Sequence, residues 1–250
     1  MVNMLETKSL RKAFGGLVAV NDVDLSVDEK SITMLIGPNG SGKTTLLNLV
    51  TGVLKPDEGR VIFEGKDITD WPAHERYRAG LARTFQIPLP FLKLTVLENL
   101  LVPRANPGES LLKAPLKAAW IEREEEDIRE ALNVLRQVAL SDLWNEPAHK
   151  LGGAQLKLLE LGRALMSGAK MIALDEPIGG VDPTYSHEIF SNIVKLKKNL
   201  GITFLAIEHR IDIALPYADH VYVMDMGRII AEGDPDSVMN NPKVIEVYIG

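Results

Sequence analysis

The N-terminal part of the chain has the residue pattern of β-strands. Residues 22–27 (DVDLSV) alternate apolar and polar positions with a period of two, and residues 31–37 (SITMLIG) form a short apolar run that ends in glycine. Residues 60–65 (RVIFEG) have the same character. Such patterns are typical of strands. After Gly42 the spacing becomes helical through KTTLLNLVTG, and Gly52 is the expected end of this helix.

Between residues 95 and 168 the apolar residues follow helical spacing. The stretch 120–140 predicts a long helix whose apolar face consists of Ile121, Ile128, Leu132 and Leu135. The acidic cluster within residues 122–127 lies in the first turns of that helix, where carboxylates suit the helix dipole. It is interpreted as a solvated face rather than a metal site. Residues 107–117 (PGESLLKAPLK) are expected to form a linker.

After Gly168 strand and helix patterns alternate along the chain. Apolar strands are predicted at KMIALD, ITFLAI, HVYVMD and RIIAEG, and a helix is predicted from Pro183 to Leu200. Nearly continuous apolar strands that alternate with helices indicate a parallel sheet that is covered on both faces. We therefore expect an α/β fold in which a helical insertion at residues 87–168 interrupts the sheet.

Composition limits the possible function classes. The 250 residues are 46% hydrophobic and 25% charged, and the formal net charge of −6 argues against nucleic acid as the main partner. The sequence has no cysteine, which rules out disulfides and thiolate metal sites and fits a reducing cytosol. The first residues, MVNMLETKSLRKAF, lack the apolar core of a signal peptide, and no apolar run approaches the ~18 residues of a membrane span. Any membrane connection is therefore expected to run through another subunit.

A glycine-rich phosphate loop is predicted at residues 37–45 (GPNGSGKTT), which match G-x-x-x-x-G-K-[ST] between a predicted strand and a predicted helix. Gly40 and Gly42 let successive backbone N–H groups turn toward phosphates, and the helix N-terminus adds its positive end. Lys43 can reach the β- and γ-phosphates, and the Thr44 hydroxyl can ligate Mg²⁺. The expected nucleotide-binding residues of this loop are Asn39, Gly40, Ser41, Gly42, Lys43, Thr44 and Thr45.

Other candidate residues follow predicted strands. Asp175 and Glu176 lie at the end of the strand in MIALDEP, and ligands of parallel sheets gather at the carboxyl ends of strands. Asp175 can hold Mg²⁺ through water, and Glu176 can polarise a water for attack on a γ-phosphate. His209 follows ITFLAI, where a γ-phosphate contact and a structural role are equally consistent with its position. Gln86, at the end of GLARTFQ, is not distinguished by the residues alone.

The ordered set GPNGSGKTT, RTFQ, LGGAQ, MIALDEP, GGVDP and AIEH resembles the ATP-binding subunit of ABC transporters over essentially the whole chain. RKAFGGLVAVNDVDLSV, LTVLENLLV and EVYIG look most like the ATPase subunits of branched-chain amino acid importers. The resemblance implies a P-loop NTPase fold with a mixed sheet core, an N-terminal antiparallel β-subdomain and an inserted α-helical subdomain. It implies a single domain over residues 1–250, in which 1–86 and 169–250 form the nucleotide-binding core and 87–168 form the helical subdomain.

The resemblance also assigns roles to matching positions. Phe14 falls where an aromatic residue stacks on adenine, and Val20 lies nearby. Gln86 matches the glutamine that senses Mg²⁺ and the γ-phosphate and begins the surface that contacts the membrane subunit. Asp182 matches an aspartate that links two monomers, and His209 matches the switch histidine. The implied catalytic residues are Glu176, His209 and Gln86, and the implied Mg²⁺ ligands are Thr44, Gln86 and Asp175.

Residues 151–155 (LGGAQ), the signature segment, match the family motif L-S-G-G-Q, which lies over ATP bound to the phosphate loop of a second monomer. Gly152, Gly153 and Gln155 are therefore expected at nucleotide. Gly152 replaces a serine whose hydroxyl contacts the γ-phosphate, and losing such a bond costs about 1.5–3 kcal/mol, or roughly ten- to a hundredfold in rate. Ala154 adds a methyl group, which is tolerated at negative φ and disruptive at positive φ. We expect slower closure and hydrolysis, with ATP binding retained.

The resemblance implies a cytoplasmic subunit, peripheral at the inner face of the cell membrane, that binds ATP and Mg²⁺ and pairs with a second ATPase subunit, either the same chain or a related one. Transmembrane permease subunits are expected to contact residues 86–94, and a periplasmic or extracellular substrate-binding protein is an indirect partner. Two alternatives stay open. One is the ATPase of a lipid or lipopolysaccharide exporter, and the other is a weakly hydrolysing regulatory module, suggested by the degenerate signature segment and opposed by the intact Glu176 and His209.

Overall fold

The computed structural model describes residues 3–106, 108, 114–115 and 117–249. Its strands are β1 (Asn3–Phe14), β2 (Leu17–Asp28), β3 (Ile32–Ile36), β4 (Glu58–Phe63), β5 (Lys66–Asp67), β6 (Leu81–Arg83), β7 (Met171–Asp175), β8 (Thr203–Ile207), β9 (His220–Asp225) and β10 (Arg228–Gly233). Its helices are α1 (Lys43–Val50), α2 (Ala73–Arg78), α3 (Val96–Leu101), α4 (Ile121–Gln137), α5 (Gly153–Met166), α6 (Pro183–Leu200), α7 (Ile211–Ala214), α8 (Pro235–Met239) and α9 (Pro242–Ile249). These strands form two sheets.

The four-stranded sheet is antiparallel and has the order β2-β1-β4-β5. Strands β1 and β2 form a long hairpin whose register runs from Asn3 opposite Asp28 to Phe14 opposite Leu17. Along the second half of β2 alternate residues are buried, namely Val23, Leu25 and Val27. This burial pattern has the same period of two as the alternation of apolar and polar residues that predicted a strand here.

The six-stranded sheet has the order β10-β9-β3-β8-β7-β6. Strands β9, β3, β8, β7 and β6 pair in parallel, whereas β10 pairs antiparallel with β9. All residues of β3, β7 and β8 are buried, as expected for central strands covered on both faces. The α/β fold with a mixed sheet and an antiparallel sheet confirms the expected fold class. The parallel pairing also brings the carboxyl ends of β3, β7 and β8 to one edge.

Successive residues of β3 contribute to different parts of the core. Ile32, Met34 and Ile36 belong to a hydrophobic cluster that also includes buried residues of α3, α4, α5 and α6. Leu35 belongs to a second cluster, formed with α1 and the four-stranded sheet. The central sheet is therefore covered by helices on one face and by α1 and the second sheet on the other.

The helices α3, α4 and α5 lie between β6 and β7 in the sequence, and they pack against one another. At Gly162 of α5, a Cβ atom would lie 2.8 Å from Leu100 Cδ2 of α3, so the absence of a side chain permits this close approach. No helix in the described part of the chain has the length and apolar character of a membrane span. Most of the linker expected at residues 107–117 lies outside the described residues.

The prediction of which residues form the apolar face of α4 was wrong in part. Leu132 is 40% exposed, whereas Ala131, Val134 and Leu135 form the buried face together with Asp127. Asp127 was assigned to a solvated acidic face, but its side chain is only 4% exposed, and Oδ1 lies 3.3 Å from Arg123 Nη2 and 3.7 Å from Arg104 Nε. Ion pairing offsets the burial of this carboxylate, and hydrophobic periodicity does not reveal such a pair.

A buried arginine of α2 stabilises the C-terminal end of α1, the helix that follows the phosphate loop. The Arg76 guanidinium donates to the carbonyls of Leu49 and Val50, each at 2.7 Å, and to those of Trp71 and Thr69, each at 2.9 Å. Burial lowers the pKa of this guanidinium to about 10, so it is charged at neutral pH. A cation at a helix C-terminus satisfies carbonyls that lack intrahelical donors.

We predict that Arg76→Met lowers the free energy of unfolding by about 3 kcal/mol, because it leaves buried carbonyls without donors. Urea unfolding followed by circular dichroism measures the change. The matched control is Arg78→Met, which removes an exposed arginine of the same helix and is expected to change stability by less than about 0.5 kcal/mol. Equal effects of the two substitutions would contradict the capping role.

Candidate active site

The phosphate loop joins β3 to α1 in a conformation that requires glycine. Gly37, Gly40 and Gly42 have φ values of 149°, 78° and 105°. A Cβ atom at Gly37 would lie 2.0 Å from the carbonyl oxygen of Met224, and one at Gly42 would lie 2.1 Å from that of Ala19. Any larger residue would therefore displace the backbone of a neighbouring strand or loop.

Lys43 begins α1, and its side chain folds back over the phosphate loop. Its Nζ donates to the carbonyls of Gly37 at 2.9 Å and Pro38 at 2.8 Å, and lies 3.3 Å from Ser41 Oγ. The residue is 4% exposed. Burial lowers the pKa of the ammonium, and the nearby Glu176 carboxylate opposes this shift. The loop thus holds a cation at the N-terminus of a helix, an arrangement suited to anionic ligands.

An open cleft of about 650 Å³ lies over the phosphate loop. The residues expected from the sequence that line it are Phe14, Asn39, Gly40, Gly42, Lys43, Thr44, Thr45, Glu176 and His209. Ser41 and Val20 are buried and do not line it; Val18 and Ala19 take the place expected for Val20. At one end of the cleft Phe14 is 47% exposed, and Leu17 lies beside it, so the hairpin presents an apolar surface suited to a planar base.

The carboxylate of Glu176 lies between the other two expected catalytic side chains. Gln86 Nε2 donates to Glu176 Oε2 at 2.8 Å, and His209 Nε2 lies 3.0 Å from Glu176 Oε1. Glu176 follows β7, His209 follows β8, and Gln86 lies three residues beyond β6. Neighbouring parallel strands therefore bring together three residues that are separated in sequence.

The backbone of Glu176 has a left-handed conformation, with φ of 50°. This region costs a non-glycine residue about 1–2 kcal/mol. Hydrogen bonds on both sides hold it: Glu176 N–H donates to Ile207 O at 3.0 Å, and Gly179 N–H donates to Glu176 O at 2.9 Å. Lys157 Nζ also donates to Glu176 O, at 3.2 Å. Strained residues held in this way are typical of functional sites.

The turn after β8 is held by Glu208, a buried carboxylate with an exposure of 1%. Its Oε1 accepts from the N–H of Ile178 at 3.0 Å, and its Oε2 accepts from the N–H of His209 at 3.1 Å. Burial raises the pKa of this carboxyl, and the backbone N–H groups act against that rise. Glu208 thereby ties the segment after Glu176 to the segment that carries His209.

Asp175 is engaged by an arginine that the sequence pattern did not single out. Arg83 Nη2 donates to Asp175 Oδ2 at 2.7 Å, and the two side chains are 10% and 8% exposed. Arg83 Nη1 also donates to Asn48 Oδ1 of α1. Arg83 occurs in RTFQ, but only its distant partners reveal its role, since 92 positions separate it from Asp175.

The expected Mg²⁺ ligands offer a hydroxyl, an amide oxygen and one carboxylate. Thr44 is exposed in the cleft, Gln86 keeps its Oε1 while Nε2 donates to Glu176, and Asp175 keeps its Oδ1 while Oδ2 accepts from Arg83. The described residues contain no cluster of three or more histidine, cysteine or carboxylate side chains suited to a metal. Sparse oxygen donors fit Mg²⁺, which retains waters and is completed by substrate phosphates.

The signature segment forms a second, separate cleft of about 460 Å³ at the N-terminus of α5. Gly152, Gly153, Ala154, Gln155 and Asp182 line this second cleft and are absent from the lining of the cleft over the phosphate loop. The N–H of Gly152 donates to Gln155 Oε1 at 2.9 Å. Within one chain, therefore, the expected nucleotide-contacting residues are divided between two surfaces.

Ala154 lies within α5 and is not among the described residues with positive φ. The methyl group is therefore compatible with the backbone at this position. Asp182 is the N-cap of α6, where its carboxylate accepts from Thr184 N–H at 2.9 Å. That backbone hydrogen bond lowers the pKa of the Asp182 carboxyl, so the group is ionised at neutral pH.

Comparison with known proteins shows the family to which the chain belongs. Residues 20–179 match the family described as ABC transporter, and residues 228–250 match the branched-chain amino acid ATP-binding cassette transporter family. A probable branched-chain amino acid transport ATP-binding protein of Archaeoglobus fulgidus is 50% identical over 249 residues, which cover 100% of this chain and 96% of the relative.

Solved structures of ATP-binding cassettes are similar to the chain. The ADP conformation of an ATP-binding cassette of an ABC transporter is 50% identical, covers 100% of both chains and has a TM-score of 0.88. A dimeric post-hydrolysis ATP-binding cassette bound to ADP and Pi is 25% identical, with a TM-score of 0.75, and the match covers 93% of this chain and 99% of that one. Because the family match spans more than half of the sequence and a relative shares half of its residues over the full length, the chain belongs to the ABC transporter family as an ATP-hydrolysing ATP-binding subunit.

Proposed function

We propose that the chain powers the import of branched-chain or other hydrophobic amino acids by hydrolysing ATP. The observation that carries the hydrolytic part is the Glu176 carboxylate, held between Gln86 and His209 beside the phosphate loop. The relatives named for branched-chain amino acid transport and the family match at residues 228–250 support the substrate class and favour an importer over a lipid exporter.

In this proposal the phosphates of ATP bind to the loop backbone and to Lys43, and the adenine stacks on Phe14. Glu176 orients and polarises a water for in-line attack on the γ-phosphate, which releases ADP and phosphate. His209 and Gln86 fix the carboxylate from its two sides and contact the γ-phosphate. Thr44, Gln86 and Asp175 would hold Mg²⁺, which when bound neutralises charge on the phosphates.

A complete site is proposed to require two chains. The signature segment of one chain would cover ATP on the phosphate loop of the other, because the two clefts do not share lining residues within one chain. Gly153 and Gln155 would then offer backbone N–H groups at a helix N-terminus to the γ-phosphate, Gly152 would lie against the nucleotide, and Asp182 would lie at the dimer contact. The relative solved as a dimer supports this arrangement. The second subunit is either the same chain or a related ATPase.

The membrane contact is proposed at residues 86–94. Ile87, Leu89, Phe91 and Leu92 are 73%, 71%, 49% and 54% exposed, an unusual concentration of large apolar side chains on one loop. We propose that a transmembrane permease subunit binds there, which places the chain at the cytoplasmic face of the membrane, and that a substrate-binding protein acts indirectly. Residues 87–168 would move as a helical subdomain against a core formed by 1–86 and 169–250.

We predict that Glu176→Gln lowers the rate of ATP hydrolysis by at least about a hundredfold while ATP binding is retained, because the amide cannot accept the proton of the attacking water. The trapped ATP complex is expected to dimerise, as measured by size-exclusion chromatography with light scattering in the presence and absence of Mg-ATP. Glu29→Gln, at an exposed position, is the matched control.

Hydrolysis by Glu176→Gln at the wild-type rate would contradict the assigned role of Glu176. An inactive Glu176→Gln protein that binds ATP and stays monomeric would instead show that the signature segment does not close over nucleotide in a homodimer. That result would favour either a related ATPase as the second subunit or a regulatory role for the chain.

We predict that Gly152→Ser raises ATP turnover by up to about tenfold, because it supplies a hydroxyl donor to the γ-phosphate of the partner site. The backbone accommodates the change, since a Cβ atom at Gly152 would meet only Gln155 Oε1, at 3.8 Å. Gly152→Ala is the control, since it adds the β-carbon without the hydroxyl. Equal turnover of the serine and alanine variants in a steady-state phosphate-release assay would refute the prediction.

Ala154→Gly is expected to give no gain in turnover, because Ala154 already fits the helix. It is expected to destabilise α5 by up to about 1 kcal/mol, the usual cost of glycine in a helix. Thermal unfolding and turnover of this variant separate the two departures from the family motif. A rise in turnover on Ala154→Gly alone would show that the methyl group obstructs the partner nucleotide.

A further inference from the structure

Three polar side chains on one face of α5 reach the loop that carries Gln86. Lys157, Glu160 and Arg163 are spaced three residues apart, so they lie on the same side of the helix. Lys157 Nζ donates to Gln86 O at 2.5 Å. Glu160 Oε1 accepts from Leu89 N–H at 3.3 Å, and Arg163 Nη1 donates to Leu89 O at 3.1 Å. Helix α5 thus contacts the main chain of the segment 86–89 at both ends of that segment, Gln86 and Leu89.

Lys157 differs from Glu160 and Arg163 because it also contacts Glu176, the residue that follows β7. Its Nζ donates to the carbonyl oxygen of Glu176 at 3.2 Å, and the residue is 6% exposed. Burial lowers the pKa of this ammonium, and the surrounding carboxylates of Glu160, Glu208, Glu176 and Asp175 oppose the shift. The energetic cost of burying a cation is offset here by two main-chain acceptors and by nearby negative charge.

The contacts of Lys157 close a ring through the candidate active site. Its ammonium joins the main chain of Gln86 to that of Glu176, while the side chains of the same two residues are hydrogen-bonded at 2.8 Å. The Glu176 carbonyl that Lys157 contacts belongs to the residue with φ of 50°, whose conformation depends on its hydrogen bonds. Removing the ammonium would take one main-chain contact from each residue at once, and Glu176 would keep its hydrogen bonds with Ile207, Gly179 and the Gln86 side chain.

We propose that Lys157 is a positioning residue that sets the placement of Glu176 against Gln86 and links that placement to the signature segment. This inference rests on the proposed roles of Glu176 and Gln86 in hydrolysis. The link is mechanical: α5 begins at Gly153, inside the signature segment, and Lys157 lies about one turn further along the same helix. A displacement of the helix N-terminus by nucleotide on the partner chain therefore moves Lys157 and the two carbonyls that it holds.

The test compares Lys157→Met, which keeps the length of the side chain and removes its charge and donors, with Lys157→Arg, which keeps both. We expect Lys157→Met to lower kcat by about ten- to a hundredfold and to change the Kd for ATP by less than about threefold, since the phosphate loop is untouched. Lys157→Arg is expected to recover part of kcat. Lys195→Met, at an exposed position on α6, is the matched control and keeps wild-type kcat.

A double-mutant cycle distinguishes positioning from general support of the fold. Single-turnover hydrolysis of radiolabelled ATP is measured for Glu176→Gln, Lys157→Met and the double variant. If Lys157 acts through Glu176, the double variant hydrolyses ATP as slowly as Glu176→Gln and no slower. If Lys157→Met does not give folded protein, Lys157→Gln, which keeps a neutral donor, replaces it in the cycle.

Three outcomes are distinguishable: two of them overturn the positioning role of Lys157, and the third overturns the proposed function. Wild-type kcat in Lys157→Met, with Glu176→Gln inactive, overturns the positioning role alone. If the two substitutions lower the hydrolysis rate independently, so that their factors multiply in the double variant, and Lys157→Met also lowers Tm and raises the Kd for ATP, Lys157 has a structural role. That outcome also overturns the positioning role. Wild-type hydrolysis by Glu176→Gln overturns the proposed function itself, whatever Lys157→Met does.

Discussion

The parallel pairing of β7 with β8 is the constraint on which the candidate active site depends. It sets Asp175 opposite Ile207, and Glu176 N–H then donates to the carbonyl of Ile207. Because β3 pairs with the other side of β8, with Leu35 opposite Ile207, the phosphate loop starts at the same edge. A shift of one residue in either pairing would turn Glu176 or His209 toward the opposite face. The buried apolar side chains of these three strands oppose such a shift.

The elements that the sequence predicted well are those whose signal is local. Strands β9 and β10 and helix α6 have the predicted bounds, because near-continuous apolar runs and a proline at the helix start mark them. The phosphate loop was predictable because its glycines are required by its own backbone geometry. Gln86 and His209 gained their assignments from family resemblance, since a lone polar residue after a strand carries little information.

The features that the sequence did not predict are pairs of distant residues in buried surroundings. Arg83 with Asp175, and Lys157 with the carbonyls of Gln86 and Glu176, join separate strands and helices that only the folded topology brings together. The burial of Asp127 on α4 was also not predicted, because its charge is offset by Arg104 and by Arg123 of the same helix. Periodicity separates apolar from polar residues, but it does not separate a solvated charge from a compensated one.

The fold-back of Lys43 over its own loop makes nucleotide binding an exchange reaction. Its ammonium already donates to two neutral carbonyls, and an incoming ligand has to offer acceptors that compete with them. The attraction between the ammonium and a negatively charged oxygen adds a charge–charge energy that a neutral carbonyl oxygen does not supply. A multiply charged phosphate therefore competes with the two carbonyls for Lys43 more effectively than a neutral group does. The loop therefore favours ligands of high negative charge density, independently of what the adenine or the second subunit contributes to recognition.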